Sequence, residues 1–425
     1  MIHTMEELQE FFEERRTLGI QLGLERLEYL LAEVKHPERN LPVIHIAGTN
    51  GKGSTLAYLR QVLMDAGYSV GSFVSPGLPT LLDHILYNEK RIEVEEFIVI
   101  LNKLLPIIEE MDAKKLNPSE YEILMVVTLL YFKDNVDIAL IETAMGGRDD
   151  ITNCVVPLLS IITNISYDHT QFLGPTLTDI AQHKAGIIKS NTPLIIGEMS
   201  CEALTVIKET ARRKKAPLYQ FGKEFRVRKV SNQCDKEAFL WERDKGLHVE
   251  LSMIGVHQIQ NASLALMACV LLKEQGFHIE ESKMLESFRA ASLSYRMEKI
   301  ASNPAIYIDG AHNEAGIEAF ISTVDTYFQV KNVVIITGVF KDKNVKKMLK
   351  LLTSKFGDIY MMTFNHARAM QKSDYEKIAS KNSGRIIEEE SELFHMIEEV
   401  TITNKTLIFV GSLHFVSHIK QLLGK

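Results

Sequence analysis

A glycine-rich heptapeptide, GTNGKGS at residues 48–54, holds the residue types most suited to chemistry in this sequence. Glycines let backbone N–H groups point toward one spot, and a lysine and a helix N-terminus add positive charge beside them, which suits a polyphosphate. The spacing differs from the standard Walker loop, because the first glycine lies four residues before the lysine rather than six. A tight glycine turn that binds nothing is the alternative. The candidate phosphate-binding residues are Gly48, Thr49, Asn50, Gly51, Lys52, Gly53 and Ser54.

An acid and a histidine each follow an apolar run. Residues 136–142 end in Glu142, and Asp168 and His169 follow a second run at 158–163. Ligands of open α/β sheets bind at the carboxyl ends of the strands, so we expect Glu142 and His169 to converge beside the glycine loop as magnesium ligands. A structural hydrogen bond is the alternative for the histidine, since Mg2+ prefers oxygen to imidazole.

Further candidates lie later in the chain. Lys184 stands in or near a helix fifteen residues beyond His169, where pairing with a nearby acid is the simpler interpretation. The segment DGAHN at 309–313 ends the first strand of a second series, and Arg296 stands in the connection before it. A network of salt bridges between domains is the alternative for these residues.

Strands and helices alternate over most of the chain, which predicts an α/β fold with mostly parallel sheets covered on both faces. Strands are predicted at 43–47, 70–74, 136–142 and 158–163, with a helix after the glycine loop at 55–66. Short alternating segments within 217–251 predict a small antiparallel appendage. A second strand–helix series begins at 305, so we divide the chain into domains 1–294 and 295–425.

The composition excludes several classes of protein. The 425 residues are 46% hydrophobic and 24% charged, with a net charge of -7, which argues against a nucleic-acid partner. The four cysteines form no Cys-x-x-Cys pair, so neither a zinc site nor a disulfide framework is indicated. Residues 1–16 do not read as a signal peptide, and no apolar run reaches the ~20 residues of a membrane span. We expect a soluble, cytoplasmic protein without a membrane partner.

In their order along the chain, these motifs resemble those of the folylpolyglutamate synthase and dihydrofolate synthase family, relatives of the Mur ligases of peptidoglycan synthesis. The resemblance covers nearly the whole chain. Any one motif could occur by chance, whereas the ordered set is specific. The matching segments are LGI (18–20), GLER (23–26), HIAGTNGKGS (45–54), FVSP (73–76), ETAMGGR (142–148), TNI (163–165), DHT (168–170), LG (173–174), KAGI (184–187), NA (261–262), DGAHN (309–313) and GSL (411–413).

The resemblance implies a P-loop ATPase-like N-terminal domain and a C-terminal Rossmann-like domain with ATP between them. It implies that Lys52 and its neighbours hold the β- and γ-phosphates, and that Lys184 is the lysine carbamylated in the family. A carbamate would turn that cation into an oxygen ligand. The implied magnesium ligands are Ser75, Glu142, His169 and Lys184, and the implied nucleotide contacts beyond the loop are Asn261, Arg296, Asp309 and His312.

The implied reaction joins L-glutamate to a folate carboxylate. ATP phosphorylates the carboxylate to an acyl phosphate, the glutamate amine captures it, and ADP and phosphate leave. Tetrahydrofolate is the expected substrate, with dihydropteroate as a further one, and a monomer is expected. The resemblance makes Lys52, Glu142, His169, Lys184 and His312 the catalytic candidates, His312 as proton acceptor or phosphate contact.

Three positions depart from the family pattern. Gly77 stands where the family usually has histidine, Tyr295 precedes Arg296 where the family has Pro-Gly, and Glu314 replaces a frequent proline. These departures favour, as a second hypothesis, a diverged ligase acting on another carboxylate. A nucleotide-gated binding protein is a third, although a sensor has less need of the full set Glu142, His169 and Lys184.

Overall fold

The computed structural model describes residues 1–19, 21, 23–233, 236–378 and 384–424. Ile20 of the first motif and Cys234 lie outside these residues. Fifteen α-helices are present in the described part of the chain: α1 (Met5–Arg16), α2 (Glu25–Glu33), α3 (Lys52–Asp65), α4 (Val94–Ala113), α5 (Glu120–Lys133), α6 (Thr170–Leu173), α7 (Leu177–Lys184), α8 (Cys201–Lys214), α9 (Val256–Glu274), α10 (Glu281–Ala290), α11 (Glu314–Tyr327), α12 (Val345–Lys355), α13 (Lys372–Ile378), α14 (Glu390–Ile402) and α15 (Leu413–Leu422).

The first sheet has eight strands. They are β1 (Val43–Ala47), β2 (Val70–Phe73), β3 (Ile85–Tyr87), β4 (Lys90–Arg91), β5 (Ile138–Glu142), β6 (Leu159–Ile162), β7 (Leu194–Ile196) and β8 (Leu218–Gln220). Their order is β4-β3-β2-β5-β1-β6-β7-β8, with parallel pairing from β2 to β8 and antiparallel pairing at the β3 and β4 edge. Every residue of β1 and β5 is buried, as expected for central strands covered on both faces.

Two hydrophobic clusters of described residues pack helices against one face of this sheet. One joins β1, β2 and β5 to α1, α2, α4 and α5 through side chains such as Phe12, Phe97 and Phe132. The other packs α7 and α8 against β6 and β7 through Ile180 and Ile207. Helix α5 is buried on nearly its whole surface, and Ser119 caps its N-terminus in a capping box with Glu122. These clusters hold the strands that carry the candidate residues.

A three-stranded sheet follows, made of β9 (Arg226–Gln233), β10 (Lys236–Glu242) and β11 (Gly246–Leu251), with β10 and β11 antiparallel. It is the predicted antiparallel appendage. The segment after it is tied to α10, because Ser252 Oγ donates to the Arg289 carbonyl at 2.5 Å.

The last sheet has six strands in the order β12-β13-β17-β14-β15-β16. They are β12 (Glu298–Ser302), β13 (Ala305–Asp309), β14 (Val333–Gly338), β15 (Asp358–Met362), β16 (Arg385–Ile387) and β17 (Thr406–Gly411). All pairs are parallel except that of β12 with β13. Helices cover both faces: α11 and α12 pack on one core, and α14 and α15 pack on the other.

The predicted α/β architecture, with a mostly parallel ATPase-like sheet, a small antiparallel sheet and a Rossmann-like second sheet, is confirmed. Strand ends differ by one or two residues, as helix and strand boundaries usually do. The N-terminal region forms the two helices α1 and α2, with Gly19 and Gly23 in left-handed conformations between them.

The chain divides into two compact units. The first comprises residues 1–165, 173–226 and 261–287, and the second comprises 166–172, 227–260 and 288–425. The three-stranded sheet and Asp168 thus belong to the second unit. The boundary between 294 and 295 in chain order stays a prediction. Within the described residues, no helix has the length and apolar character needed to cross a bilayer.

Gly71 allows β2 to approach α5 closely, because a Cβ there would lie 2.9 Å from three ring atoms of Phe132. We expect Gly71→Ala to destabilise the first unit by about 1–3 kcal/mol, lowering Tm by roughly 2–10 °C in a thermal melt. The control is Gly357→Ala, at an exposed glycine where nothing lies within 4 Å of an added Cβ. Equal melting temperatures for the two variants would contradict the close packing.

Candidate active site

The glycine loop joins the carboxyl end of β1 to the first turn of α3. Gly48 has φ +153° and a Cβ there would lie 1.8 Å from Thr163 Oγ1. Gly51 has φ +83° and a Cβ there would lie 2.2 Å from Asn261 Oδ1. Side chains from the end of β6 and from α9 therefore occupy the space beside these two glycines, and any other residue at either position would strain the backbone.

Two residues after β6 hold the loop in shape. Thr163 Oγ1 donates to the Asn50 carbonyl at 2.6 Å. Asn164 accepts from the Asn50 N–H at 3.0 Å and donates to the Asn50 carbonyl at 3.1 Å, and its own carbonyl accepts from the Thr49 N–H at 3.1 Å. Sequence reasoning recorded both residues as part of a motif but gave them no role; their place directly after a buried strand was the available signal. The loop is thus preorganised rather than flexible.

Lys52 is the first residue of α3, and its Nζ lies above the loop. It donates to the carbonyls of Gly48 and Thr49 at 3.2 and 3.4 Å and lies 3.7 Å from Glu142 Oε1. Glu142 ends β5 and is only 5% exposed. The structure therefore brings a cation, a buried carboxylate and the glycine turn together at the carboxyl edge of β1 and β5. An anionic ligand bound there would meet a lysine whose charge is already positioned.

Asn261, predicted from the resemblance, joins this group through α9. Its backbone carbonyl accepts from Thr55 Oγ1 at 3.5 Å, and its side chain lies beside Gly51. Ser54 and Thr55 are both buried in the first turn of α3. The first unit thus assembles the loop, Lys52, Glu142 and Asn261 in one place.

The segment after Glu142 is fixed by Asp150, which sequence reasoning did not single out. Its carboxylate accepts from the Met145 N–H at 2.7 Å and from the Thr152 hydroxyl at 2.5 Å. Burial raises the pKa of Asp150, while these hydrogen bonds act in the opposite direction. The Thr152 hydroxyl also lies 2.8 Å from Nε2 of His45 in β1, whose pKa burial lowers to about 3. Two adjacent aspartates, Asp149 and Asp150, follow this motif in the chain, and only the fold shows that Asp150 is the buried one.

Lys184 is the last residue of α7 and is 3% exposed. The loop after Glu142 lies against this end of the helix, because the Arg148 N–H donates to the His183 carbonyl at 2.7 Å. Gly186 allows this approach, since a Cβ there would lie 2.2 Å from Arg148 Cα. The side chain of Lys184 therefore occupies an enclosed position in the same unit as Glu142.

Ser75 lies just beyond β2 and is half-buried. It is hydrogen-bonded to the phenol of Tyr121, whose pKa is raised by burial and lowered by that bond, with a net rise. His84 braces the same segment: its Nδ1–H donates to the Val74 carbonyl at 2.6 Å and its Nε2 accepts from the Gly77 N–H at 3.1 Å. Burial lowers the pKa of His84 to about 4, so the ring is neutral near pH 7.

The departure at Gly77 has a local reason. A Cβ at this position would lie 2.4 Å from His84 Cδ2 and 2.6 Å from the His84 backbone nitrogen. His84 already occupies the space into which a side chain at 77 would project. The glycine is thus required by this histidine.

The second unit places its candidates at the end of β13. Asp309 is 6% exposed and accepts from the N–H groups of Met297 and Ala311, both at 2.9 Å. Burial raises its pKa, and the positive charge of Arg296 opposes that rise. His312 donates through Nδ1 to the Gly310 carbonyl at 2.8 Å, which leaves Nε2 as the other ring nitrogen.

Asp168 contacts His312, Asn313 and Lys343. The sequence analysis did not propose it as a site residue. Its carboxylate accepts from Lys343 Nζ at 2.5 Å and from Asn313 Nδ2 at 3.0 Å, and it lies 3.7 Å from His312 Nε2. Burial alone would raise the pKa of Asp168, but His312 and Lys343 outweigh it and hold the pKa far below its usual range. The sequence analysis did not predict Lys343 either. The polar run KDKN that follows β14 was the feature that could have indicated it.

The proposed metal ligands fall in both units. Ser75, Glu142 and Lys184 belong to the first unit, whereas His169 lies in the segment grouped with the second. Among the described residues, no group of three or more His, Cys, Asp or Glu side chains forms a ready metal cluster. The Ser75 hydroxyl and the buried Glu142 carboxylate are nevertheless oxygen donors of the kind that Mg2+ prefers. The set of four stays a prediction.

The comparisons with known proteins agree with this arrangement. Residues 46–269 match the Mur ligase middle domain, and residues 295–413 match the Mur ligase, glutamate ligase domain. The chain is 34% identical over 415 residues to the dihydrofolate synthase/folylpolyglutamate synthase of Bacillus subtilis, covering 96% of each chain. The folylpolyglutamate synthase of Mycobacterium tuberculosis complexed with ADP and AMPPCP superposes with a TM-score of 0.91 at 25% identity, covering 99% of this chain and 98% of that one. An FPGS–AMPPCP–folate complex gives a TM-score of 0.82 at 26% identity, with 94% of both chains covered.

The fold, the glycine loop and the two matched domains define a ligase of the Mur type. More narrowly, the chain belongs to the folylpolyglutamate synthase/dihydrofolate synthase family, and it is a ligase of the folylpolyglutamate synthase type.

Asp168 and Lys343 form an ion pair in which both side chains are at most 8% exposed. We expect Asp168→Asn to destabilise the second unit by about 3 kcal/mol, because the lysine would stay buried without its counter-charge. The loss is measured by thermal or denaturant unfolding. The matched control is Asp342→Asn, which breaks the more exposed pair with Arg368 and should cost no more than about 1 kcal/mol. If Asp168→Asn and Asp342→Asn lower the free energy of unfolding by similar amounts, the buried pair of Asp168 with Lys343 does not stabilise the protein more than the exposed pair does.

Proposed function

We propose that the protein adds L-glutamate to the carboxylate of a tetrahydrofolate, with ATP converted to ADP and phosphate, and that it also joins glutamate to dihydropteroate. The observation that carries the proposal is the braced glycine loop with Lys52 and the buried Glu142 at its side. The B. subtilis relative carries both activities in its name, and related structures hold nucleotide and folate.

The proposed roles follow the charges of the substrates. The loop N–H groups and Lys52 hold the phosphates of ATP, and Asn261, Arg296, Asp309 and His312 contact the nucleotide. Folate carboxylate and ATP are both anionic, so their approach requires positive charge fixed in advance. Lys52 supplies that charge, since its position is already set by the carbonyls of Gly48 and Thr49.

Four residues are proposed to hold Mg2+: Ser75, Glu142, His169 and a carbamylated Lys184. Bound there, Mg2+ would neutralise charge on the phosphate oxygens during phosphoryl transfer. Glu142 is held at the end of β5, and Lys184 is enclosed at the end of α7, so neither side chain needs to become ordered when a ligand arrives.

The reaction balances in two steps. A carboxylate oxygen of the folate attacks the γ-phosphorus, the bond to ADP breaks, and an acyl phosphate forms. The amine of glutamate then attacks the acyl carbon, phosphate leaves, and the nitrogen loses a proton. We assign that proton to His312, because its Nδ1–H already donates to the Gly310 carbonyl and Nε2, 3.7 Å from the Asp168 carboxylate, is the ring nitrogen that would take up the proton.

The direct test is an incubation of the purified protein with ATP, Mg2+ and labelled glutamate, with either tetrahydrofolate or dihydropteroate. We expect label in the pterin product and one ADP formed for each glutamate added. Formation of ADP without labelled pterin would instead support a diverged ligase that acts on another carboxylate. No ADP formation at all would support a nucleotide-gated binding protein.

A second prediction concerns the carbamate. Lys184→Ala should lower kcat by at least about a hundredfold, because an oxygen ligand of the metal is lost, and a short carboxylic acid with bicarbonate should restore part of the activity. The control is Lys189→Ala, which removes a nearby lysine that donates to the Asn153 carbonyl instead. Unchanged turnover in Lys184→Ala would remove the carbamate from the mechanism.

The cytoplasmic location and the monomeric state stay predictions.

A further inference from the structure

Tyr295 adopts a backbone conformation that side chains rarely take. Its φ is +66°, in the left-handed region that favours glycine, and Met297 two residues later has φ +44°. Arg296 is thus placed between two left-handed residues. A bulky residue persists in such a conformation only where its surroundings hold it there.

Helix α15 and strand β12 supply those surroundings. The Tyr295 hydroxyl donates to Ser417 Oγ at 3.2 Å, and Lys420 Nζ lies 5.5 Å from the centre of the Tyr295 ring. The Tyr295 N–H donates to Glu298 Oε2 at 2.9 Å, and Glu298 Oε1 accepts from Lys420 Nζ at 2.5 Å. The ring, the hydroxyl and the backbone nitrogen of one residue are therefore each held by a different partner.

The carbonyl of Tyr295 is hydrogen-bonded to two candidate segments of the second unit. It accepts from the Gly310 N–H at 2.8 Å and from Arg296 Nη1 at 3.0 Å. The guanidinium also rests against Gly310, where a Cβ would lie 2.5 Å from Nη1. The direction of the Arg296 side chain is thus set by the peptide that Tyr295 holds in place.

We propose that Tyr295 and Lys420 are positioning residues that orient Arg296 for the nucleotide. Glycine at position 295 would reach the same φ without strain but would leave the peptide free to rotate, whereas tyrosine fixes it through contacts with α15. Neither residue touches the nucleotide in this proposal. The inference rests on the proposed contact between Arg296 and ATP.

The test compares KM for ATP with kcat and with KM for the folate substrate. Tyr295→Gly and Lys420→Met should each raise KM for ATP by about tenfold, because a loosely held guanidinium makes a poorer contact with an anionic ligand. The melting temperature and KM for folate should stay close to wild type. If the two residues act as one unit, the double variant should be no worse than the worse single variant.

Lys405→Met is the matched control. Lys405 pairs with Asp358 at 2.5 Å, the same distance as between Lys420 and Glu298, but it lies at the amino ends of β15 and β17. We expect the Lys405→Met variant to keep the wild-type KM for ATP. If Tyr295→Gly fails to fold, the Lys420→Met variant, at a half-buried side chain, still tests the proposal.

Arg296→Ala separates this inference from the proposed function. If that variant raises KM for ATP while Tyr295→Gly and Lys420→Met do not, the positioning role is overturned and the nucleotide contact stands. If Arg296→Ala leaves KM for ATP unchanged, the contact itself is wrong. A rise in KM for ATP in all three variants, with Lys405→Met unchanged, supports the proposal.

Discussion

The turn from β1 into α3 is the constraint on which the rest of the site depends. Two of its residues have backbone conformations suited to glycine, and side chains from elsewhere in the first unit fill the space where a Cβ would lie. Thr163 reaches it from the neighbouring strand β6, and Asn261 reaches it from α9. The loop therefore exists in this shape only because the sheet order places β6 beside β1.

Buried hydrogen-bonded carboxylates fix other segments that carry candidate residues. Asp150 binds the segment after Glu142 and reaches, through Thr152, the neutral His45 in β1. In the second unit, Asp168 holds Lys343 and Asn313. A buried carboxylate is costly unless its oxygens are satisfied, so such a group tolerates few arrangements of its neighbours. In this protein those neighbours are the segments that carry the candidate residues.

Two of the three departures from the family pattern, Gly77 and Tyr295, have local explanations. Gly77 is required by His84, which occupies the space beside it and braces the chain on both sides of Ser75. Tyr295 accepts a left-handed conformation that costs about 1–2 kcal/mol relative to a relaxed backbone, and three contacts offset that cost. Both residues contribute to how a loop is held, Gly77 beside Ser75 and Tyr295 beside Arg296.

The sequence by itself determined the elements and much of the chemistry. Buried strands such as β1 and β5 are continuous apolar runs, and the glycine loop, Glu142 and Asp309 stand at strand ends, so local pattern was enough to find them. Pattern could not show that Asp150, rather than its neighbour Asp149, is buried. Nor could it identify Thr163, Asn164, Asp168 and Lys343 as the residues that hold the loops. Those assignments depend on contacts between segments up to 175 residues apart in the chain, and only the tertiary structure decides which side chains meet.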